Sequence, residues 1–159
     1  MSPMSRNPDP AVYALAFDEA QRGLARQEAS LDELRSRTGT LVGAAAVAVS
    51  FLGASAASGG FSLAGQLGIV AFIALATLAV VILLPFRGWV FDDEVGALFS
   101  TYIEADDPAD IVEMHRDLAL HHAAHIGHNE ILLSRLYWAF RVAAGLLVLQ
   151  VLLMLVDLA

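Results

Sequence analysis

Five histidines lie close together in the C-terminal half of the chain, between residues 115 and 128. Three of them follow the i, i+4, i+7 spacing of one helical face: His121, His125 and His128. Asp117 precedes them by one helical turn. Imidazole and carboxylate groups at this spacing can share a divalent metal ion or act together as a pH sensor. The spacing equally fits polar positions in an ordinary contact between helices, so these three interpretations stay open.

A second concentration of ionisable groups precedes the histidines. Residues 92–117 contain nine acidic side chains and a single arginine, Arg116. Their summed field could concentrate cations at a pore mouth or attract a basic partner. The same acids could simply form a solvated face that keeps an apolar protein soluble on its aqueous side.

The overall charge excludes one class of partner and the motifs argue against catalysis. The chain has 17 acidic and 9 basic residues, all of the latter arginine, and a net charge of −8. Without a Lys/Arg cluster to neutralise phosphates, no nucleic-acid partner is expected. The sequence contains no cysteine, HExxH, GxSxG or glycine-rich phosphate loop, so we expect no enzyme and no resident cofactor other than the divalent metal considered above.

The distribution of charge predicts a membrane protein. Only 16% of the residues are charged, against about 25% in a soluble domain. No Asp, Glu, Lys or Arg occurs between Thr38 and Phe86. Since about 20 apolar residues cross a bilayer, we predict transmembrane helices at residues 41–57, 63–85 and 137–156. Residues 58–62 form the outer turn, and residues 157–159 form an outer tail.

Arginine placement predicts the orientation of these spans. Arginines flank the predicted cytoplasmic ends of all three spans and are absent from the outer turn and tail, which puts the N-terminus in the cytoplasm and the C-terminus outside. Aromatic residues cluster at the same ends. The predicted interface anchors are Arg37, Arg87, Trp89, Trp138 and Arg141.

The predicted spans contain two features suited to helix packing. Ala46, Ser50 and Ala54 recur every four positions along the first span and are flanked by Gly43 and Gly53. Small residues at this spacing let helices approach closely, so these five residues form a predicted oligomerisation face. Gln66 and Gln150 are the polar residues of the other two spans. Each amide needs a partner in hydrocarbon, and joining helices is favoured over lining a pore.

The remaining segments predict a helical extension on the cytoplasmic side. After a flexible N-terminus at residues 1–9, a helix begins at Asp9-Pro10 and continues as an amphipathic helix over residues 10–40. Residues 86–107 form an acidic return segment, and residues 108–136 form the histidine-containing helix. The two long helices run in the same direction and could lie side by side as a stalk. The predicted fold is therefore all-α: three transmembrane helices with a cytoplasmic stalk of long helices.

Both stalk helices carry apolar residues at alternating spacings of three and four, which predicts one contact seam on each. The seam of the first helix is interrupted by the polar residues Gln27 and Thr38, and it comprises Tyr13, Phe17, Ala20, Leu24, Gln27, Leu31, Leu34, Thr38 and Leu41. The seam of the second comprises Ile111, Met114, Leu118, His121, His125, His128 or Asn129, Leu132 and Leu136.

Several stretches together resemble a group of small bacterial membrane proteins, the SLATT and Pycsar-effector-like proteins. These stretches are the charged helix ARQEASLDELRSRTGTL at residues 25–41, the Ala/Gly-rich paired spans, and NEILLSRLYWAFR at residues 129–141. The resemblance implies an inner-membrane protein that oligomerises and breaches the membrane in antiviral defence when a nucleotide sensor is activated. Because this chain has no recognisable nucleotide-binding domain, such a sensor would be a separate polypeptide.

These observations lead to one expected function and two alternatives. We expect an oligomeric bacterial inner-membrane effector or channel that is gated through its stalk, with lipid and further copies of itself as partners. The first alternative is a non-conducting membrane scaffold that recruits a partner through the stalk. The second is a divalent-metal or pH-sensing channel built on the histidines.

Overall fold

The computed structural model describes the backbone of residues 10–59, 62–84 and 110–157, and the side chains of these ranges except 52–59. The described residues form three α-helices, which are α1 (Pro10–Gly59), α2 (Leu63–Leu83) and α3 (Ile111–Asp157). No strand occurs within these ranges. The prediction of an all-α protein is therefore confirmed.

Helix α1 is one uninterrupted helix of 50 residues. It begins at Pro10, whose ring fixes φ for the first helical position, and no later proline interrupts it. The predicted cap Asp9 lies outside the described residues. The helix includes Ser58 and Gly59, the first residues of the predicted outer turn.

Helix α2 has a defined beginning and end. The Ser62 side chain caps the N-terminus by accepting a hydrogen bond from the Gly65 backbone N–H at 3.2 Å. At the other end, Leu84 takes an extended conformation while its N–H still bonds to the Val80 carbonyl at 2.9 Å. The 21 residues between are about the number that crosses a bilayer.

Helix α3 joins the predicted histidine-containing helix and the predicted third span into one helix of 47 residues. Its first predicted residue, Pro108, lies outside the described part of the chain. The acidic return segment, residues 86–107, lies outside it too.

The chain divides into two compact units, and α1 and α3 each contribute to both. The first unit comprises Met1–Ala29 and Arg87–Leu132, and the second comprises Ser30–Phe86 and Leu133–Ala159. The second unit begins ahead of the predicted first span and therefore includes polar turns of α1 as well as apolar ones.

In the first unit, α1 and α3 pack side by side and point in the same direction. Phe17 of α1 packs against His115 and His122 of α3, and Gln27 of α1 reaches Ile126. Since contacts move toward the C-terminus of both helices together, the two helices are parallel in this unit, as the sequence predicts.

The second unit is a three-helix bundle around a small apolar core. Ala45 of α1, Leu75 of α2 and Ala143 of α3 are fully buried together. Partly buried apolar residues surround them: Leu41, Val42, Phe72, Leu78, Leu146 and Leu147. Here α2 is antiparallel to α3, because its first residues contact Asp157 whereas Leu75 packs with Ala143.

The buried positions of α1 match the predicted seam and extend it. Leu24, Leu31, Leu34 and Thr38 are each buried, while Gln27 and Leu41 are half-buried. The same spacing continues beyond the predicted end, through the buried residues Ala45 and Ala48. A single seven-residue repeat therefore orders the packing of α1 in both units.

The seam predicted for α3 is partly wrong. Leu118 is buried, but the next buried residue is His122 rather than His121, which is exposed. From there the buried positions recur at intervals of seven: His122, Asn129, Leu136, Ala143 and Gln150. The buried face thus continues from Leu118 to His122, four residues on, rather than to the predicted His121, three residues on. Either spacing keeps two residues on the same face of a helix. Of the two alternatives predicted for the next seam position, Asn129 is buried and His128 is exposed.

Candidate functional site

His121 and His125 form a close pair of imidazole side chains on α3. Their Nε2 atoms are 2.8 Å apart, with ring centroids separated by 4.2 Å and ring planes at 89°. Residues four apart on a helix are neighbours, so α3 alone sets this geometry. His121 is exposed and His125 is half-buried, which leaves the pair open to solvent.

The full predicted set of four ligands is not brought together. Among the described residues, no group of three or more His, Cys, Asp or Glu side chains could hold a metal ion. His128 is exposed and Asp117 is half-buried on the same helix. The structure therefore does not assemble the predicted set of Asp117, His121, His125 and His128 among the described residues, and the contact it shows within this set joins His121 to His125.

Two other histidines, His115 and His122, pack against α1 and were not among the predicted seam residues of α3. The His122 ring is buried, with its centroid 5.4 Å from that of Phe17. The half-buried His115, seven residues earlier on α3, stacks on Phe17 with the ring centroids 5.5 Å apart and the planes at 26°. These distances are typical of offset aromatic contacts. Their sequence signal was the seven-residue spacing from His115 to His122, matching one heptad.

Gln27 fixes the alignment of α1 and α3 in the first unit. Its Nε2 donates a hydrogen bond to the backbone carbonyl of Ile126 at 3.0 Å. Ile126 also lies close to Gly23, where a Cβ would be 2.8 Å from Ile126 Cδ1. Gln27, which interrupts the predicted apolar seam, therefore forms a polar contact between the two helices. Gly23, one turn earlier on α1, leaves room for the Ile126 side chain.

Gln150 makes the corresponding contact in the second unit. It is fully buried, and its Nε2 donates to the backbone carbonyl of Ala45 at 3.0 Å. The amide oxygen Oε1 has no hydrogen-bond partner among the described residues. The expectation that Gln150 joins helices is confirmed. Gln66 differs, because its side chain is exposed one turn inside α2.

Asp157 contacts the N-terminus of α2, a contact the sequence analysis missed. Ser62 Oγ donates a hydrogen bond to Asp157 Oδ1, and a Cβ built on Gly65 would lie 3.0 Å from the same oxygen. The unpaired N–H groups and the dipole of a helix N-terminus favour a carboxylate there. Asp157 and Ser62 together therefore close one end of the bundle. Only Ser62, a favoured cap residue, gave a local signal.

The predicted oligomerisation face of α1 points away from the bundle. Ala46 and Ser50 are exposed, and a Cβ at Gly43 would have no neighbour within 4 Å. Ser50 Oγ bonds to the Ala46 carbonyl of its own helix at 2.9 Å. The residues that α1 uses within the chain are instead Ala45 and Ala48. The surroundings of Gly53 and the side chain of Ala54 lie outside the described part of the structure.

Exposed ion pairs line α1. Arg26 is 2.6 Å from Glu19 and Arg22 is 3.5 Å from it, whereas Arg37 pairs with Glu33 at 2.5 Å. The hydrogen bond from Arg26 and the charge of Arg22 lower the pKa of Glu19. Of the predicted interface anchors, Arg141 and Trp138 are exposed on α3. Arg87 and Trp89 lie outside the described residues.

Within the described residues, two helices are long and apolar enough to cross a membrane: α2 (Leu63–Leu83) and a window within α3 (Ile111–Asp157). Only 28% of the apolar window of α2 and 11% of that of α3 are buried by protein. The predicted first span, residues 41–57, lies partly outside the described side chains. An association with membranes is therefore supported by the length, composition and exposure of these two helices.

Comparison with known proteins gives no further assignment. No family model, curated protein or solved structure matches this chain. The resemblance to SLATT and Pycsar-effector-like proteins thus remains an expectation drawn from the sequence.

Proposed function

We propose that the protein is an integral protein of the bacterial inner membrane that crosses the bilayer three times and oligomerises to change membrane permeability. The observation that carries this proposal is the low protein coverage of α2 and α3. An apolar core helix of a soluble protein is mostly buried, whereas a lipid-facing helix keeps its apolar side chains on the outside.

The exposed apolar side chains of the second unit support lipid as the surrounding medium. They occur on all three helices: Val47 and Phe51 on α1, Leu63, Leu67, Val70, Ile73 and Val80 on α2, and Val148, Leu152, Leu155 and Val156 on α3. Soluble monomers rarely expose so continuous an apolar surface. Acyl chains would cover these side chains without requiring a protein partner.

The proposed topology places the N-terminus in the cytoplasm and the C-terminus outside. Arginine asymmetry is its basis. Reporter fusions at Gly60 and at Ala159 should both report the outer side. A cytoplasmic signal from the Ala159 fusion would contradict a third span.

The proposed change in permeability requires more than one copy. Within one chain, the centre of the second unit is occupied by Ala45, Leu75 and Ala143, all fully buried and apolar. Gln150 is the polar side chain that contacts this core, and one amide cannot replace the hydration shell of an ion along a whole bilayer crossing. A pore would therefore form between copies, and the proposed stalk, built from the parallel α1 and α3, would control their association.

Ion flux tests this function most directly. The purified full-length chain in liposomes should release an entrapped fluorescent ion indicator, with a rate that rises more steeply than linearly with protein density. A folded, inserted protein that releases nothing at any density would overturn the effector proposal. Zinc sensitivity of the flux would favour the metal-sensing version.

A non-conducting scaffold is the second candidate, favoured by a different observation. The first unit exposes large apolar residues on α3, at Leu120 (60%) and Ile131 (57%), separated by the exposed Ala124 and Gly127. Such a face on a segment proposed to lie in water could receive a partner helix. Absence of flux together with partner-dependent protection of these residues would support the scaffold.

A further inference from the structure

We propose that His121 and His125 form a two-imidazole binding site for a late first-row divalent cation, with copper, nickel and zinc as the fitting metals. This inference is independent of the proposed function, since it concerns a site on one helix. It does not require a membrane, a pore or a partner.

The two Nε2 atoms are already close to a chelating separation. Metal–imidazole bonds of about 2.0–2.1 Å with ligands at right angles require the two nitrogens to be about 2.9 Å apart, and tetrahedral zinc requires about 3.3 Å. The observed separation is 2.8 Å. At this separation the two rings share a hydrogen bond, so a square-planar or octahedral ion would replace the shared proton once both rings turn their lone pairs toward it. A tetrahedral ion would in addition need a small opening of the pair.

The pair has the access and the backbone support that a metal site needs. His121 is exposed and His125 is half-buried, so a hydrated ion can reach both rings. Both belong to α3, which is continuous from Ile111 to Asp157 and fixes the i, i+4 separation of the two residues. Metal ligands on a regular helix are positioned more precisely than ligands on a loop.

The ligand set determines the class of metal. Neutral imidazole nitrogens suit copper, nickel and zinc, whereas magnesium and calcium require oxygen ligands. Because no third ligating side chain joins the pair within the described chain, water would complete the coordination. With such an open site, geometry imposes little selection, and the affinities should follow the intrinsic order in which copper binds more tightly than nickel or zinc.

Titration of the full-length chain with copper or zinc alone tests the proposal. A preparation without a polyhistidine tag, in detergent, should bind one equivalent of copper per pair, measured by calorimetry. His121→Gln and His125→Gln should each weaken copper binding by at least about tenfold, because each leaves a single imidazole. The matched control is His128→Gln, which removes an exposed histidine of the same helix and should leave the affinity unchanged.

A spectroscopic measurement separates a site from a folding effect. Electron paramagnetic resonance of the copper-bound wild type should show two equivalent nitrogen ligands, and either single variant should show one. Unaltered copper affinity in both variants, equal loss in the His128→Gln control, or a wild-type spectrum without two nitrogens would each overturn the proposal. Should a variant fail to fold by circular dichroism, the wild-type spectrum alone decides.

Discussion

Gln150 of α3 donates a hydrogen bond from Nε2 to the backbone carbonyl of Ala45 on α1, at 3.0 Å. Both residues are fully buried. The Ala45 carbonyl belongs to a helix and already has a main-chain partner to accept from, so the glutamine adds a second donor to it. The amide oxygen of Gln150 gains no comparable partner in the described structure, which limits the net stabilisation.

Two substitutions of Gln150 should show whether the stability of the bundle depends on the volume of this side chain or on its polarity. Gln150→Leu keeps most of the volume and loses one hydrogen bond, so the free energy of unfolding in detergent should change by no more than about 1 kcal/mol. Gln150→Glu places a charge in the same buried position and should cost several kcal/mol, by order of magnitude. The control Gln66→Glu alters an exposed residue in the first turn of α2 and should have a much smaller effect. Equal costs for the two glutamates would contradict the burial of Gln150.

The carboxylate of Asp157 should stabilise α2 through the Ser62 cap. Ser62→Ala and Asp157→Leu should each cost about 1 kcal/mol, because each removes a partner from the α2 N-terminus. Since the two side chains bond to each other, the double variant should cost less than the sum of the single variants by about 0.5 kcal/mol or more. Unfolding of all four proteins in detergent measures this coupling, and strict additivity would show that the contact contributes nothing.

Two adjacent histidines should differ in their contribution to stability. His122→Ala removes a buried ring that contacts Phe17 and should cost about 2 kcal/mol or more. His121→Ala removes an exposed ring and should change stability by about 0.5 kcal/mol or less. The measurement is denaturant unfolding of each variant without added metal. A larger loss for His121→Ala would restore the seam originally predicted for α3.

The comparison of these histidines shows how far the sequence could predict the packing. The seam of α1 was predictable from Tyr13 to Leu41 because apolar residues such as Leu24, Leu31 and Leu34 define a single face. On α3 the face is ambiguous after Leu118, since positions 121 and 122 are both histidine and both lie within one turn of it. Contacts with α1 decide the outcome there, and no local property of α3 encodes them.

Among the site residues too, some contacts were predictable from the sequence and others were not. The pairing of His121 with His125 follows from helical spacing and was predictable, and so was the need of Gln150 for a partner. The identity of that partner, the Ala45 carbonyl, depends on how α1 and α3 are aligned. The contact between Ser62 and Asp157 joins residues 95 positions apart and has no periodic signal.

The carboxyl of Glu19 should titrate at lower pH than an ordinary glutamate. Its hydrogen bond with Arg26 is the main cause, and the charge of Arg22 adds to it. Because the folded-state pKa is lowered, the stabilisation is present above the unfolded-state pKa and is lost as pH falls through the folded value. Carbon-13 NMR titration should show that Arg26→Gln raises the Glu19 pKa more than Arg22→Gln does. Since all three side chains are exposed, added salt should shrink both effects. An unchanged pKa in Arg26→Gln would contradict the pairing.

The outward face of α1 supplies the test of self-association. Ser50 is exposed and its hydroxyl is satisfied within α1, so Ser50→Leu should leave the single-chain bundle folded. If copies pack closely through Gly43, Ala46 and Ser50, a leucine at position 50 separates their backbones and should shift the species seen by cross-linking and native mass spectrometry to smaller sizes. The matched variant Ala45→Leu places the same side chain in the fully buried core, where overpacking should cost about 1–3 kcal/mol of bundle stability. If Ser50→Leu loses the oligomer but keeps its stability, the Ser50 face makes contacts between chains. If Ala45→Leu keeps the oligomer but loses stability, the Ala45 face makes contacts within the chain. An unchanged oligomer size in Ser50→Leu would remove this face from the interface.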